Sequence, residues 1–455
     1  MLPVSKQQTL LRKYDIPVPR YTSYPTVPYW QTAPPSAEEW SDSVHASFSR
    51  NPEISLYIHL PFCERLCTYC GCNKRITKRH EVEIPYIHSL LKEWQMYLRL
   101  LPHRPILREV HLGGGTPTFF HPDNLRYLLQ EIQQTTEIPD KTSYSWEGHP
   151  GNTTPAHLEA LARLGFNRVS IGVQDFDPKI LQTINRFQET QQIEDLTREA
   201  RQLGYQSINY DFVFGLPHQK PEHIQRNMQK VKELRPDRIA FYSYAHVPWS
   251  QPGQRAYSEK DLPSPEKKRE LYEIGRQELE QMGYAEIGLD HFALPTDDLL
   301  WAWHRKSLHR NFMGYTPFRT ELMIGLGVSA ISDAWGAFVQ NEKHLETYQE
   351  RIERGELPFF KGHLLDQEDL LLRRHILNLM CHLRTHWSPT HDQHPAILAA
   401  KQRWQTMEKD GLLILRPNSV QVTDAGRPFI RNISMALDAR LWRNQPQAQV
   451  FSQAV

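Results

Sequence analysis

The chain has 455 residues, 39% of them hydrophobic and 23% charged, with a formal net charge of +1 at pH 7. That length exceeds one ordinary core, so two domains or a barrel with appendages is expected, and the near-neutral charge gives no support for polyanion binding over the whole surface. No run approaches the roughly 18 apolar residues of a membrane helix, and five cysteines, an odd and sparse count, point to a reducing cytoplasm rather than a disulfide framework.

Residues 1–50 begin MLPVSKQQTLLRKYDIPVPR, which lacks the apolar stretch of a secretory signal. The following PRYTSYPTVPYW is rich in proline and tyrosine without helical period, so 1–50 reads as an extended arm. From residue 51, strand-like and helix-like segments alternate. The predicted strands are 54–60, 108–112, 143–148, 168–176, 207–215 and 238–246. Leu125, Leu128, Leu129 and Ile132 recur at helical spacing, and Thr154–Pro155 and Ser264–Pro265 pair a cap residue with a first-turn proline. Six strand–helix alternations predict an α/β fold, a partial (β/α)6 open barrel of parallel strands over 51–365. Its last part, 285–365, is mixed in character. From about 366, EDLLLRRHILNLMCHLR starts a mostly helical, winged-helix-like C-terminal domain, 366–455, with a hairpin and a helix near its end. That tail prompts a nucleic-acid reading with structural zinc, but Arg403, Arg416, Arg427 and Arg431 alternate with Glu408, Asp410 and Asp424, a poor basic stripe.

Strand parity divides the sheet into two faces. Ile54, Leu56, Ile58 and Leu60 oppose Ser55, Tyr57 and His59; Tyr144 and Trp146 oppose Ser143, Ser145 and Glu147. Val169, Ile171 and Val173 oppose Ser170, Gly172 and Gln174; Ile208, Tyr210, Phe212 and Phe214 oppose Asn209 and Asp211. One face can pack under helices. The other is small or polar and suits the lumen of an open, ligand-holding barrel, since a closed one fills with bulky branched residues.

Just past the first strand, YIHLPFCERLCTYCGCNKR places Cys63, Cys67, Cys70 and Cys72 in the spacing C-x3-C-x2-C-x-C. Three thiolates in one tight loop can hold an iron–sulfur cluster and leave one iron without a protein bond. A zinc knuckle would need a second ligand pair, and no second C-x2-C or H-x3-H follows. A Cys70–Cys72 disulfide would be strained. Cys381, in LNLMCHL, reads as an ordinary buried thiol. HLGGGTPT, 111–118, is a glycine turn at a strand end, where a ligand can approach backbone N–H groups.

The cysteine spacing, with Tyr69 before the third cysteine, resembles that of the radical S-adenosylmethionine enzymes. PRYTSYPT, LYIHLPFCERLCTYCGCNK, HLGGGTPT, IGVQDF, DFVFGLP, YAHVP, DHFALP, LHRNFMGY and GLGVSAIS together resemble the oxygen-independent coproporphyrinogen III oxidases, from about residue 19 into the C-terminal domain. The resemblance implies a [4Fe–4S] cluster on Cys63, Cys67 and Cys70, with S-adenosylmethionine on the open iron as the source of a 5′-deoxyadenosyl radical. It further implies oxidative decarboxylation of two propionates of coproporphyrinogen III to vinyl groups, giving protoporphyrinogen IX in haem biosynthesis. A flavodoxin or ferredoxin as electron donor, a cytoplasmic monomer, and no nucleic-acid or membrane partner complete the expectation. A haem chaperone or an anaerobic haem-degrading methyltransferase of the same superfamily is the alternative; RYTSYPT and Cys72 disfavour it.

By the same resemblance, Tyr57, Gly114, Glu147 and Ile331 match positions contacting cluster-bound S-adenosylmethionine. Tyr69, Gly115, Thr116, Gln174, Arg186, Asp211 and Ala245 match a second cofactor-sized site. Cys72 matches a required cysteine that is not a ligand. Four propionates call for cationic partners, for which Arg20 and the pair His309 and Arg310 are candidates; Tyr21 and Tyr24 are candidates to stack on the tetrapyrrole. Two residues depart from the family pattern: His149 stands where a carboxylate is expected two positions after Glu147, and Leu112 stands where some members carry tryptophan.

Overall fold

The computed structural model describes residues 4–249, 251–446 and 450–454. Strands β1 (Glu53–Leu60), β2 (Ile106–Gly114), β3 (Ser143–Gly148), β4 (Arg168–Gln174), β5 (Ser207–Phe214) and β6 (Arg238–Ser243) lie side by side in chain order, all parallel. Alternation decides which face goes where. Ile54, Leu56, Ile58, Leu60, Val169, Ile171, Val173, Ile208, Tyr210 and Phe212 join one core beneath the flanking helices. Those helices start where the caps indicate: Pro155 opens Pro155–Arg163, and Ser264 accepts a hydrogen bond from the Lys267 N–H at 3.3 Å at the start of Pro265–Gln281.

The six-strand barrel is extended at both edges. Beyond β6 lie the short antiparallel strands β7 (Ala285–Ile287) and β8 (His291–Ala293). Beyond β1 lies β9 (Leu322–Leu326), a seventh parallel strand, followed by antiparallel β10 (Ile331–Asp333), β11 (Ala337–Asn341) and β12 (Phe359–Leu364). The order is β12-β11-β10-β9-β1-β2-β3-β4-β5-β6-β8-β7, so the sheet ends on β12 and β7 instead of closing. The mixed reading of 285–365 conceals these strands because several have only three residues and others are buried along their whole length, which erases alternation.

The N-terminal segment is the main correction. It contains two helices, Val4–Tyr14 and Ala37–Arg50, the second closed by a capping box between Ser36 and Glu39. Only the proline-rich stretch between them lacks regular helix, apart from one turn at Val27–Tyr29. Nor is it a free arm. Leu10, Tyr14, Val18, Tyr21 and Tyr24 share a core with Leu372, Ile376, Leu379, Trp404 and Ile433 of the C-terminal part. Tyr21 is 1% and Tyr24 2% exposed, and the Tyr21 hydroxyl donates to Asp438 at 3.1 Å, so neither ring is free to stack on a ligand.

The C-terminal part comprises helices Gln367–His382 and Pro395–Lys409 and a three-stranded antiparallel sheet (Arg384–His386, Leu413–Arg416, Ser419–Val422). Two short helices, Ile430–Met435 and Ala439–Arg443, follow. Arg431, one of the arginines of the basic-stripe reading, is buried there. Its guanidinium donates to the carbonyls of Val18, Pro19 (3.2 Å), Gln453 (2.7 Å) and Ala454 (3.2 Å), tying both chain ends to this core. Arg431→Ala leaves those carbonyls unpaired, and a loss of about 3 kcal/mol is expected. Limited proteolysis should then cut before residue 37 at a protease dose the parent resists. Among the described residues no helix is long and apolar enough to cross a membrane.

Candidate active site

The lumen faces of β2 to β6 and the cysteine loop enclose one cavity of about 820 Å³. The loop closes its upper end. Phe62–Cys63 pairs in parallel with Arg75–Ile76, Cys70 N–H donates to the Cys67 carbonyl at 3.2 Å, and the Lys74 ammonium donates to the carbonyls of Cys70 and Cys72, each at 3.1 Å. Cys63, Cys67, Cys70 and Cys72 all line the cavity. The Cys63 thiol lies 3.4 Å from the Thr116 hydroxyl, and Arg186 donates to the Cys67 sulfur at 3.6 Å. Burial pushes the Cys63 thiol up to about 11, whereas a hydrogen bond from Cys72 pulls Cys70 down to about 6. Among the described residues no three such side chains converge on a single-ion position. Cys63, Cys67 and Cys70, three half-buried sulfurs on one loop, fit a four-iron cluster, which takes one thiolate per iron and would keep one iron open on three.

The glycine turn lies against this loop. Gly114 has φ +110°, and a Cβ there would stand 2.6 Å from the His59 ring; a Cβ on Gly115 would meet the Pro61 backbone at 2.6 Å. Glycine is therefore required at both positions. The turn is fastened by Gly115 N–H to the Leu60 carbonyl and Thr116 N–H to the Phe62 carbonyl, both 2.9 Å. Gly114 N–H also donates to Glu147 at 3.2 Å, and His111 lies 3.4 Å from the other Glu147 oxygen. Burial alone would raise the Glu147 carboxyl. The hydrogen bond and charge of His111 and the Gly114 N–H outweigh it and hold the group below the usual range, so it is an anion at neutral pH.

Deeper in the lumen, Asp211 accepts from the Ser170 hydroxyl at 2.7 Å and from Asn209 at 3.0 Å, yet burial and the nearby Glu147 charge push its carboxyl up to about 6. A carboxyl raised above its unfolded value of 3.8 contributes full stability below pH 3.8 and loses it as pH rises through about 6. Asp211→Asn is therefore expected to gain stability relative to the parent between pH 5 and 8. The gain should be about 1 kcal/mol, discounted because the carboxyl faces an open cavity; parallel denaturant titrations at the two pH values would read it.

The candidates divide clearly by position. Tyr69, Cys72, Gly114, Gly115, Thr116, Glu147, Gln174, Arg186, Asp211, Ala245 and Arg20 all line the cavity. Arg186 donates to the Gly172 carbonyl and to Gln188 at 2.8 Å, which fixes its guanidinium across the lumen mouth. Gln174 takes φ +66° at the end of β4, turning it out of the strand's alternation. Arg20 pairs with Asp290 at 3.2 Å. Tyr57 is half-buried on the lumen parity of β1 and adjoins Gly113 beside Glu147: its hydroxyl donates to His59 Nδ1 at 3.0 Å, and its ring stacks on His111 with centroids 6.0 Å apart. Ile331, half-buried, starts β10 against Gly325, the β9 partner of Tyr57. Arg310 lies over the Tyr315 ring and donates to the Arg20 carbonyl at 3.4 Å. His309 must be corrected. It is buried away from the cavity, and burial beside Arg373 pushes its imidazole down to about 3, so it is neutral and unsuited to hold a propionate.

Sequence reasoning missed His111, although parity places it on the lumen face with Glu109 and Gly113. It also missed His59, whose Nε2 donates to the Asn73 carbonyl at 2.9 Å and links Tyr57 to the cysteine loop. Tyr242, Tyr244 and His291, from the ends of the last strands, line the cavity too. His149, the departure from the family pattern, faces the cavity as a neutral imidazole, because burial and the adjacent Arg186 depress it well below its usual value.

Residues 57–231 match the model of the radical SAM superfamily. The chain is 37% identical to an oxygen-independent coproporphyrinogen III oxidase of Pseudomonas aeruginosa over 95% of each chain, and 36% identical to that of Escherichia coli over 98% of each. The solved structure of the Escherichia coli coproporphyrinogen III oxidase, described there as a radical SAM enzyme, superposes with a TM-score of 0.88 at 35% identity, covering 95% of this chain and 98% of that one. With more than a third of its residues identical across nearly the whole of both chains, this chain belongs to the family of oxygen-independent coproporphyrinogen III oxidases, within the radical SAM superfamily.

Proposed function

We propose that this chain oxidatively decarboxylates two propionates of coproporphyrinogen III to vinyl groups without oxygen, giving protoporphyrinogen IX. The observation that carries the reading is the convergence of the cysteine loop, the glycine turn and Glu147 on one end of a cavity of about 820 Å³ in a chain of this family. Cys63, Cys67 and Cys70 would hold a [4Fe–4S] cluster, which with S-adenosylmethionine supplies the carbon radical that takes hydrogen from a propionate. The chain's own groups do the rest. The Gly113–Thr116 turn packs without side chains against His59 and the Pro61 backbone, and its Gly114 N–H holds Glu147 beside the cysteine loop. Glu147, kept anionic by His111 and Gly114, accepts hydroxyl or ammonium hydrogen bonds. Tyr57 and Ile331 flank that end, and Arg186, Gln174, Asp211, Tyr69 and Ala245 shape the second half of the cavity. Arg20 and Arg310 supply positive charge where the N-terminal segment meets the barrel. Cys72, beside Cys70 but outside the ligand set, sits where it can donate to a ligand thiolate.

This reading includes a cytoplasmic monomer that receives single electrons from a flavodoxin or ferredoxin. Anaerobic incubation with coproporphyrinogen III, S-adenosylmethionine and dithionite should yield vinyl product and 5′-deoxyadenosine together. Absence of both from a protein with full iron and sulfide content would refute the proposed reaction.

A further inference from the structure

Residues 74–79 read KRITKR: four basic side chains and no acid, in a chain that balances 53 basic against 52 acidic residues. The structure lays this segment along the cysteine loop. Arg75 and Ile76 pair with Phe62 and Cys63, and Lys74 bridges the carbonyls of Cys70 and Cys72. Arg75, Ile76, Lys78 and Arg79 are all exposed, Ile76 to 42%. Arg75 meets Glu346 at 3.1 Å, but both side chains are about 60% exposed, and such a pair is weak and easily exchanged. Among the described residues, Lys78 and Arg79 have no carboxylate within ion-pair distance. A positively charged strip with an apolar centre thus covers the outer side of the loop whose inner side closes the cavity.

We propose that Arg75, Ile76, Lys78 and Arg79 form the docking surface for a small, acidic one-electron carrier protein. The inference rests on the reading above, in which one electron must reach the cysteine loop for each S-adenosylmethionine consumed. The carrier is oxidised by one electron and the cluster reduced by one; no atom moves between the proteins. Charge of opposite sign steers encounter, raising association rates by about 10- to 1,000-fold and losing that advantage as salt screens it within about 8 Å at 0.15 M. Arg75 and Ile76 pair directly with Phe62 and Cys63, so a partner seated here lies against the loop itself.

The test uses full-length protein with its cluster reconstituted, and a purified acidic flavodoxin as probe. The double substitution Lys78→Glu and Arg79→Glu touches no residue placed in the cavity. It should slow association with the flavodoxin by about tenfold or more and flatten its salt dependence, read by stopped flow with or without turnover. Flavodoxin-driven product formation should fall with it, while dithionite-driven formation stays at the parental rate. Parental association and parental flavodoxin-driven turnover in the variant would overturn the docking surface. So would an equal loss with dithionite, since the strip would then act through the cavity. Failure of the parent itself with dithionite would fall on the proposed reaction instead, and the association measurement would still decide the surface.

Discussion

Cys67→Ser should yield a colourless protein that makes no vinyl product. Serine presents a hard hydroxyl where the loop offers a polarizable sulfur, and iron–sulfur clusters are held by thiolates. Cys67 is the middle of the three proposed ligands and carries the Arg186 contact at 3.6 Å, a position neither Cys63 nor Cys70 occupies. The fold should survive. Thr68 N–H to the Ile184 carbonyl (3.0 Å) and Asn185 to the Leu66 carbonyl (2.7 Å) hold the loop without using the sulfur. Iron and sulfide content should collapse, and activity should drop at least about 1,000-fold, with metal-free stability within about 0.5 kcal/mol of the parent. Metal analysis, anaerobic absorbance and product chromatography on one preparation check this. A variant that remains brown and active would remove Cys67 from the ligand set.

Glu147→Gln is the second large effect. Glutamine keeps the shape and one carbonyl oxygen for the Gly114 N–H but loses the charge that His111 and the turn sustain. If that anion orients a cofactor carrying several donors, kcat/KM for S-adenosylmethionine should fall about 100-fold, chiefly through KM, with cluster content unchanged. Titrating the cofactor against product rate, with iron measured alongside, separates the two terms. An unchanged KM would assign Glu147 to holding the glycine turn alone.

Strand parity made the barrel legible. Ser170 and Asn209, and likewise Glu147 and Asp211, alternate with branched or aromatic neighbours, so the register of β3 to β5 and the lumen face follow from period two alone. Local spacing marked the cysteine loop and glycine turn in the same way. What escaped depends on contacts between distant segments. Tyr21 and Tyr24 look like an exposed aromatic arm until Asp438 and the helices after residue 366 bury them. His309 has the side chain of a propionate partner, yet Arg373 and burial, both set by tertiary packing, deprive it of charge. β9 carries no alternation because both of its faces are covered. His111 was within reach, being on the lumen parity of its strand, but the adjacent glycines draw attention away from it.

The open iron is the claim on which everything else turns. It can be examined by pulsed electron paramagnetic resonance of the reduced, reconstituted protein with S-adenosylmethionine labelled at its amino nitrogen or carboxylate. Hyperfine coupling of the label to the cluster, present in the parent and absent when Cys63, Cys67 or Cys70 is replaced, is the expected outcome. A fully loaded cluster whose signal is indifferent to the labelled molecule would mean that no iron at this loop is free to receive it.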